Sequence, residues 1–150
     1  IYAGGVRDER LRGLVLMAPH FIVEDICIEA VAAARQAFEA GGLRERLARH
    51  HGANVDNVFW GWHDVWAAPA FRDWDIGEFL PEIAVPTLII QGEDDQNGTL
   101  RQIEVAKTRC TCPLEVSVLA RCGHVPYRDK LDESLAATTN FLARLVGGPA

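Results

Sequence analysis

The sequence has 150 residues, of which 49% are hydrophobic and 24% charged, a composition typical of one globular domain and not of a disordered chain. Its net charge of -6 argues against a protein that grips nucleic acid or an anionic membrane through surplus Lys and Arg. No apolar stretch approaches the roughly 20 residues that a membrane-spanning helix needs. The first residues carry neither a basic leader nor a long apolar stretch, so we expect a cytoplasmic protein.

Three apolar runs predict strands buried in a parallel sheet. They span residues 11–19, 85–92 and 114–124, and helical segments lie between them and after the last. One helical segment begins at Leu100, and the final one, from about Asp129, places four leucines along one face: Leu131, Leu135, Leu142 and Leu145. This order of strands and helices predicts an α/β fold with right-handed crossovers.

A long segment between the first and second strands, about residues 21–81, is expected to be helical throughout and carries all four tryptophans. Apolar side chains fall there at helical spacing: Val55, Phe59, Trp62 and Trp66. These aromatic residues could simply pack the insertion together. An aromatic-rich helical layer is also how a lid over a small-molecule pocket is built, so one or two of them could face a ligand.

The four cysteines do not form the evenly spaced framework of a disulfide-rich secreted protein. Cys110, Cys112 and Cys122 lie close in sequence, but Cys-x-Cys is tight for zinc, and no second pair or histidine pair completes a tetrahedral site. We therefore expect free thiols and no metal site.

Polar residues follow the second and third strands, at the edge where open parallel sheets bind ligands. Asp94 and Asp95 come after the second strand, and Gly123 and His124 come after the third. A carboxylate and an imidazole at one edge could form the orienting acid and the general base of a nucleophilic triad. Alternatively, the aspartates are turn residues whose side chains hydrogen-bond nearby backbone N–H groups.

Three segments resemble parts of the α/β-hydrolases. VPTLIIQGEDDQ, residues 85–96, resembles their strand and acid, LARCGHVPYRD, residues 119–129, resembles their histidine loop, and LRGLVLMAPH, residues 11–20, resembles the strand after the nucleophile helix. The order of acid before histidine is also that of the family. The resemblance implies a single partial domain over residues 1–150, with about three parallel strands, flanking helices and a helical cap at about 21–81.

The resemblance also assigns roles to residues. It implies that Asp95 is the orienting acid and His124 the base, that Asp94 has a turn or capping role, and that a Ser-His-Asp mechanism acts on a small ester-like or related substrate without a cofactor. Under the helical cap, the expected substrate-pocket residues are Trp60, Trp62, Trp66 and, after the first strand, His20. No partner motif surrounds the remaining histidines, His50, His51 and His63, and we expect no catalytic role for them.

The nucleophile of the family's Gly-x-Ser-x-Gly elbow is missing. The chain has only Ser117, in the third strand, and Ser134, in the last helix, and neither has flanking glycines. The opening IYAGGV is similar to the helix that follows that elbow, which would put the serine before Ile1. We therefore expect a piece of a longer hydrolase that is inactive as the isolated chain, because a base and an acid without a nucleophile form no triad.

Two other interpretations remain at this point. Without further strands beside residues 11–19, an apolar strand edge would be open, which predicts a homo-oligomer formed through that edge. The chain could then be a non-catalytic oligomerising module that keeps the hydrolase scaffold. A nucleotide-binding domain is disfavoured, because no phosphate-binding glycine loop follows a strand.

Overall fold

A computed structural model describes residues 8–147 of the chain. Within this range lie two compact units: a sheet unit of residues 8–22 and 75–147, and a helical unit, Val23–Trp74. The opening segment IYAGGV lies outside the described residues, so its predicted helix stays a prediction. The described strands and helices, in chain order, are β1 (Leu14–Met17), α1 (Asp25–Glu39), α2 (Gly42–His51), α3 (Val55–Ala67), β2 (Thr87–Gly92), α4 (Arg101–Arg109), β3 (Leu114–Leu119), α5 (Pro126–Asp129) and α6 (Leu131–Val146).

The sheet unit contains a three-stranded parallel sheet in the order β1-β2-β3. Its register pairs Leu14 of β1 with Thr87 of β2, and Thr87 in turn with Leu114 of β3. All six residues of β2 are buried, as expected for a central strand with neighbours on both sides. The predicted parallel sheet with flanking helices is confirmed, although β1 and β3 are shorter than the apolar runs from which they were predicted.

The two faces of the sheet carry separate clusters of apolar side chains, because successive residues of a strand point to opposite faces. Ile89 of β2 packs on one face with Ile103 and Ala106 of α4, Leu80 of the 3-10 turn Gly77–Glu82, and the loop residues Phe21 and Ile83. Leu88 and Ile90 pack on the other face, against α6, with Leu119, Cys122 and Phe141. The sheet is therefore the middle of three layers, and its ends are left to form loops.

The buried face of α6 is not the one predicted. Ser134 and Phe141 are buried, whereas Leu131, Leu135 and Leu142 are exposed, and Leu145 is half-buried at the margin of the cluster. The physical reason is that α6 has two apolar stripes about a quarter-turn apart, and the one that carries the large Phe141 ring packs on the sheet.

The helical unit has its own small core between α1, α2 and α3. Phe38, Val55 and Phe59 are buried there, and the rings of Phe38 and Phe59 stack with centroids 3.8 Å apart. Glycines with positive φ follow the first two helices, Gly41 at 92° and Gly52 at 55°, which is the usual way for a helix to end in a sharp turn.

The prediction of helix throughout residues 21–81 is wrong at both ends of the insertion. Residues 21–24 and 72–76 are not helical, and within the sheet unit Ile22 and Asp75 form an antiparallel bridge. The buried side chain of Gln102 stabilises this pairing, because its amide accepts from the backbone N–H of Phe21 at 2.7 Å and donates to the carbonyl of Ile22 at 3.0 Å. That the insertion acts as a cap stays a prediction.

Among residues 8–147, none of the helices combines the length and the hydrophobicity that a transmembrane segment requires.

Candidate active site

The loops after β2 and β3 are held together where β2 ends. The backbone N–H of Glu93 donates to the carbonyl of Leu119, and that of Asp94 donates to the carbonyl of Cys122, both at 2.9 Å. Gly92 permits this approach, since a Cβ atom there would lie 2.2 Å from the Cys122 carbonyl oxygen and 2.3 Å from that of Gly123. The two loops therefore meet at the carboxyl ends of β2 and β3, which form one edge of the sheet.

Asp95 is buried at this edge, and one of its oxygens organises the turn that follows β2. Its Oδ1 accepts hydrogen bonds from the backbone N–H of Asn97 at 2.8 Å and of Gly98 at 3.3 Å. The side-chain turn role that the sequence suggested for Asp94 is thus performed by Asp95, while Asp94 is exposed and contacts the histidine loop through its backbone.

His124 faces the Asp95 carboxylate from the loop between β3 and α5. The imidazole Nδ1 lies 2.9 Å from Oδ2 and 3.1 Å from Oδ1 of Asp95. The acid side chain is 1% exposed and the histidine side chain 28% exposed. Because a carboxylate accepts and does not donate, Nδ1 carries the hydrogen, which makes Nε2 the basic nitrogen of the neutral ring.

The Asp95 carboxyl stays ionised in spite of its burial. Burial alone raises its pKa, but the hydrogen bond with His124 and those from the backbone of Asn97 and Gly98 together outweigh it and hold the pKa below the usual value. An ionised, oriented carboxylate next to an imidazole can hold the ring in one tautomer and stabilise the imidazolium that forms when Nε2 takes a proton.

Gln91 is a site residue that the sequence analysis did not identify. Its side chain is buried, and its Nε2 donates to Oδ2 of Asp95 at 2.6 Å and to the carbonyl of Gly98 at 3.2 Å. The available signal was a carboxamide in an otherwise apolar buried strand, four residues before the acid.

His20, expected to line a pocket, lies next to the pair. Its ring centroid is 5.5 Å from that of His124, with the rings tilted by 55°. The ring also packs against Gly98, where a Cβ atom would lie 2.9 Å from the His20 Cε1. Ala18, two residues earlier, has a positive φ of 45°, a conformation that non-glycine residues adopt at some energetic cost.

The three predicted pocket tryptophans belong to the helical unit. Trp60 packs edge-on against Phe38 and Phe59, Trp62 is 42% exposed, and Trp66 is half-buried against the rings of Phe71 and Trp74. Their contact with a substrate stays a prediction.

The predicted helical face of α3 is only half correct. Val55 and Phe59 are buried as expected, but the third buried residue is His63 rather than Trp62. His63 stacks on Phe59 and its Nδ1 lies 2.9 Å from the Asp64 carboxylate, so this histidine has a packing role inside the helical unit.

Neither serine has the surroundings of a nucleophile elbow. Ser117 lies within β3, and Ser134 lies buried in α6. All four cysteines are free thiols, with Cys27 and Cys122 buried and Cys110 and Cys112 half-buried. Burial, followed by interaction with Cys112, raises the pKa of the Cys110 thiol to about 11. Over residues 8–147, no group of three or more His, Cys, Asp or Glu side chains is arranged to hold a metal ion.

Comparison with solved structures settles the fold. The chain is similar to a serine hydrolase involved in carbazole degradation, the CarC enzyme, with 18% identity and a TM-score of 0.68 over 95% of this chain and 57% of that one. It is also similar to NosK from Streptomyces actuosus, with 19% identity and a TM-score of 0.71 over 93% of this chain and 61% of that one. The chain has a partial α/β-hydrolase fold.

A further α/β-hydrolase structure, a thermophilic esterase from Thermogutta terrifontis, matches with 20% identity and a TM-score of 0.56 over 91% of this chain and 57% of that one. No protein-family model and no curated protein sequence matches the chain. The chain thus spans about 57% to 61% of the length of these α/β-hydrolases.

Proposed function

We propose that this chain is the acid-and-base-bearing part of an α/β-hydrolase that cleaves a small ester-like substrate by a Ser-His-Asp mechanism. The observation that carries the proposal is the pairing of Nδ1 of His124 with the buried Asp95 carboxylate at 2.9 Å. The similarity to solved hydrolases supports it at the level of the scaffold, and the chemistry of the pair supplies the rest.

Each member of the pair has one task in this mechanism. Asp95 accepts the Nδ1 hydrogen, fixes the ring tautomer and stabilises the imidazolium. His124 removes the proton from a serine hydroxyl through Nε2 as the hydroxyl oxygen attacks the ester carbonyl, and then returns that proton to the leaving alcohol. A bound water then repeats the sequence and releases the acid.

The serine comes, in this proposal, from polypeptide outside these 150 residues. Ser117 is part of a strand and Ser134 is buried in a helix, so neither is placed on an exposed turn between a strand and a helix. The isolated chain is therefore expected to be inactive toward esters.

The substrate is a small molecule with an apolar or aromatic part, bound near Trp60, Trp62 and Trp66 of a helical cap. Exposed aromatic surface such as that of Trp62 favours such a partner. His20, which lies beside the base in the sheet unit, is also proposed to contact the substrate.

A second candidate is a non-catalytic oligomerising module. Among the described strands, β1 pairs only with β2, which leaves one edge of an apolar strand open for a second copy of the chain. In such a module Asp95 would still stabilise the turn after β2, and His124 would not be needed as a base.

Ester hydrolysis separates the two candidates. The 150-residue chain is assayed with a p-nitrophenyl ester beside the polypeptide that its gene encodes with about 100 further upstream residues, a length suggested by the 57% to 61% of the similar structures that the chain covers. We expect turnover only from the longer polypeptide, lost at least 1,000-fold in His124→Ala. The matched control is His50→Ala, which removes an exposed histidine of α2 and should retain full activity.

Three outcomes would contradict the proposal. Turnover by the 150-residue chain that disappears in His124→Ala would show that it needs no outside serine. Absence of turnover from the longer polypeptide would favour the non-catalytic module. Turnover that survives His124→Ala would show that His124 is not the base.

A further inference from the structure

Gln91 occupies a position where a carboxamide needs an explanation. It lies in β2 directly after Leu88, Ile89 and Ile90 and is 1% exposed. A buried amide must recover the hydrogen bonds that it gives up to water, so an apolar side chain is the ordinary choice in a central strand. The partners of Gln91 therefore show what its amide does.

Both donated hydrogen bonds of Gln91 go to the turn that carries the acid. Nε2 lies 2.6 Å from Oδ2 of Asp95 and 3.2 Å from the carbonyl oxygen of Gly98. The same Oδ2 is the oxygen that faces Nδ1 of His124 at 2.9 Å. The amide thus connects the strand, the acid and the far end of the turn.

We propose that Gln91 is a positioning residue, which fixes the rotation of the Asp95 carboxylate so that Oδ2 stays aimed at Nδ1 of His124. This inference rests on the proposed role of the Asp95–His124 pair. Oδ1 is held by the backbone N–H groups of Asn97 and Gly98, and the Gln91 amide holds Oδ2. With each oxygen held from its own side, the carboxylate cannot turn away from the ring.

The electrostatics decide the orientation of the amide. A Gln91 oxygen placed toward Asp95 would face the lone pairs of a carboxylate, so the NH₂ group must be the one that faces it. The other end of the amide, Oε1, is buried and has no hydrogen-bond partner among residues 8–147. A buried Oε1 without a hydrogen-bond partner costs free energy, so stability alone does not explain a glutamine at this position. The hydrogen bonds that Nε2 donates therefore favour a positioning role.

Titratable groups surround the acid on more than one element. His124 and the buried Cys122 come from the loop after β3, and His20, from the loop after β1, lies against His124. Gln91 is the neutral donor among them. Because it carries no charge, it can hold the carboxylate in place without taking up or releasing a proton beside the pair.

The test compares Gln91→Met with Gln102→Met in the 150-residue chain. Both glutamines are fully buried, but Gln102 bonds the backbone of Phe21 and Ile22, whereas Gln91 bonds the Asp95 carboxylate. Three readouts are taken: the titration of the Asp95 carboxyl by ¹³C NMR, the tautomer of His124 by long-range ¹H–¹⁵N NMR, and the urea unfolding midpoint.

Loss of a donor to a charged oxygen should move the Asp95 titration in Gln91→Met upward by roughly one pH unit and give His124 a mixture of tautomers. In Gln102→Met the unfolding midpoint should fall, while the Asp95 titration and the His124 tautomer stay as in the parent. An Asp95 titration and a His124 tautomer that are unchanged in Gln91→Met, or changed equally in both variants, would overturn the proposal.

Gln91→Glu keeps the inference testable if Gln91→Met does not fold. The glutamate has the same shape, but its ionised form cannot donate and repels Asp95, so the Asp95 titration should move further upward than in Gln91→Met. An unmoved titration would contradict the proposal. These readouts need no turnover, so their failure is distinct from a failure of the proposed hydrolase function, which the ester assay measures.

Discussion

Asp95 combines two structural tasks in one carboxylate, because Oδ1 closes a turn and Oδ2 faces His124. Its pKa lies below the usual value of 3.8 in the folded chain. Ionised Asp95 therefore stabilises the fold above the pKa of the unfolded chain, and this stabilisation is lost as the pH falls through the lower folded pKa. The fall in the free energy of unfolding at acid pH should therefore depend on Asp95.

Replacement of Asp95 by Asn should lower the free energy of unfolding at pH 7 by about 2 kcal/mol, since hydrogen bonds to a charged, buried group are lost. Below pH 4 the parent should lose this advantage and the two profiles should converge, as measured by urea unfolding at a series of pH values. Asp75→Asn is the matched control, because Asp75 pairs with Arg109 and is 40% exposed, so its effect should stay under about 1 kcal/mol. An Asp95→Asn profile parallel to that of the parent at all pH values would refute the assignment.

At the scale of elements, α6 shows that a helix packs by its largest complementary side chain rather than by its number of leucines. The buried Phe141 fills the space beside Leu88 and Ile90, while Leu135 is 54% exposed. A shallow groove of about 490 Å³ lies between the C-terminal half of α6 and residues 10–13. One stripe of α6 thus stabilises the sheet unit and the other lies on its surface.

Phe141→Ala should destabilise the sheet unit by about 4 kcal/mol, since it removes a buried ring and leaves a cavity. Leu135→Gln should change the free energy of unfolding by less than about 0.5 kcal/mol, because the leucine is already largely in water. Thermal and urea unfolding of the two variants measure the difference. Comparable losses in both would mean that α6 packs through the leucine stripe predicted from the sequence.

The sheet and the Asp95–His124 contact could be predicted from the sequence, whereas the packing face of α6 and the contacts of Gln91 could not. The parallel sheet could be predicted because the buried residues 88–90 of β2 form an apolar run, and the Asp95–His124 contact could be predicted because both residues follow adjacent parallel strands. The packing face of α6 could not, because two stripes satisfy the same periodicity and only the neighbouring sheet selects between them. The hydrogen bond from Gln91 to Asp95 could not be predicted for a similar reason, because it depends on how the turn after β2 folds back toward the strand.

At the scale of the whole molecule, the open edge of β1 is the feature most relevant to assembly. The backbone N–H of Leu14 donates to the carbonyl of Pro86, just before β2, and that of Ala18 donates to the carbonyl of Ile90 in β2. Since alternate residues of a strand bond to opposite sides, the N–H groups of Val15 and Met17 point away from β2. This edge could accept a second copy of the chain.

The homo-oligomer proposed from the sequence is tested by Met17→Pro. Proline removes one N–H from the open edge and leaves the bonds to β2 in place, so a dimer formed through this edge should become a monomer without loss of secondary structure. Size-exclusion chromatography with light scattering and circular dichroism give the two readouts. A parent chain that is already a monomer at high concentration would contradict edge pairing.

The central claim is that Asp95 holds His124 as a general base, and the protonation of the His124 ring tests it most directly. Long-range ¹H–¹⁵N NMR of the 150-residue chain in weakly alkaline buffer should find hydrogen on Nδ1 and a bare Nε2. In Asp95→Asn the preference should shift toward hydrogen on Nε2, because the acceptor that selected the tautomer is gone. A parent ring with hydrogen on Nε2, or a tautomer that is indifferent to Asp95→Asn, would contradict the account.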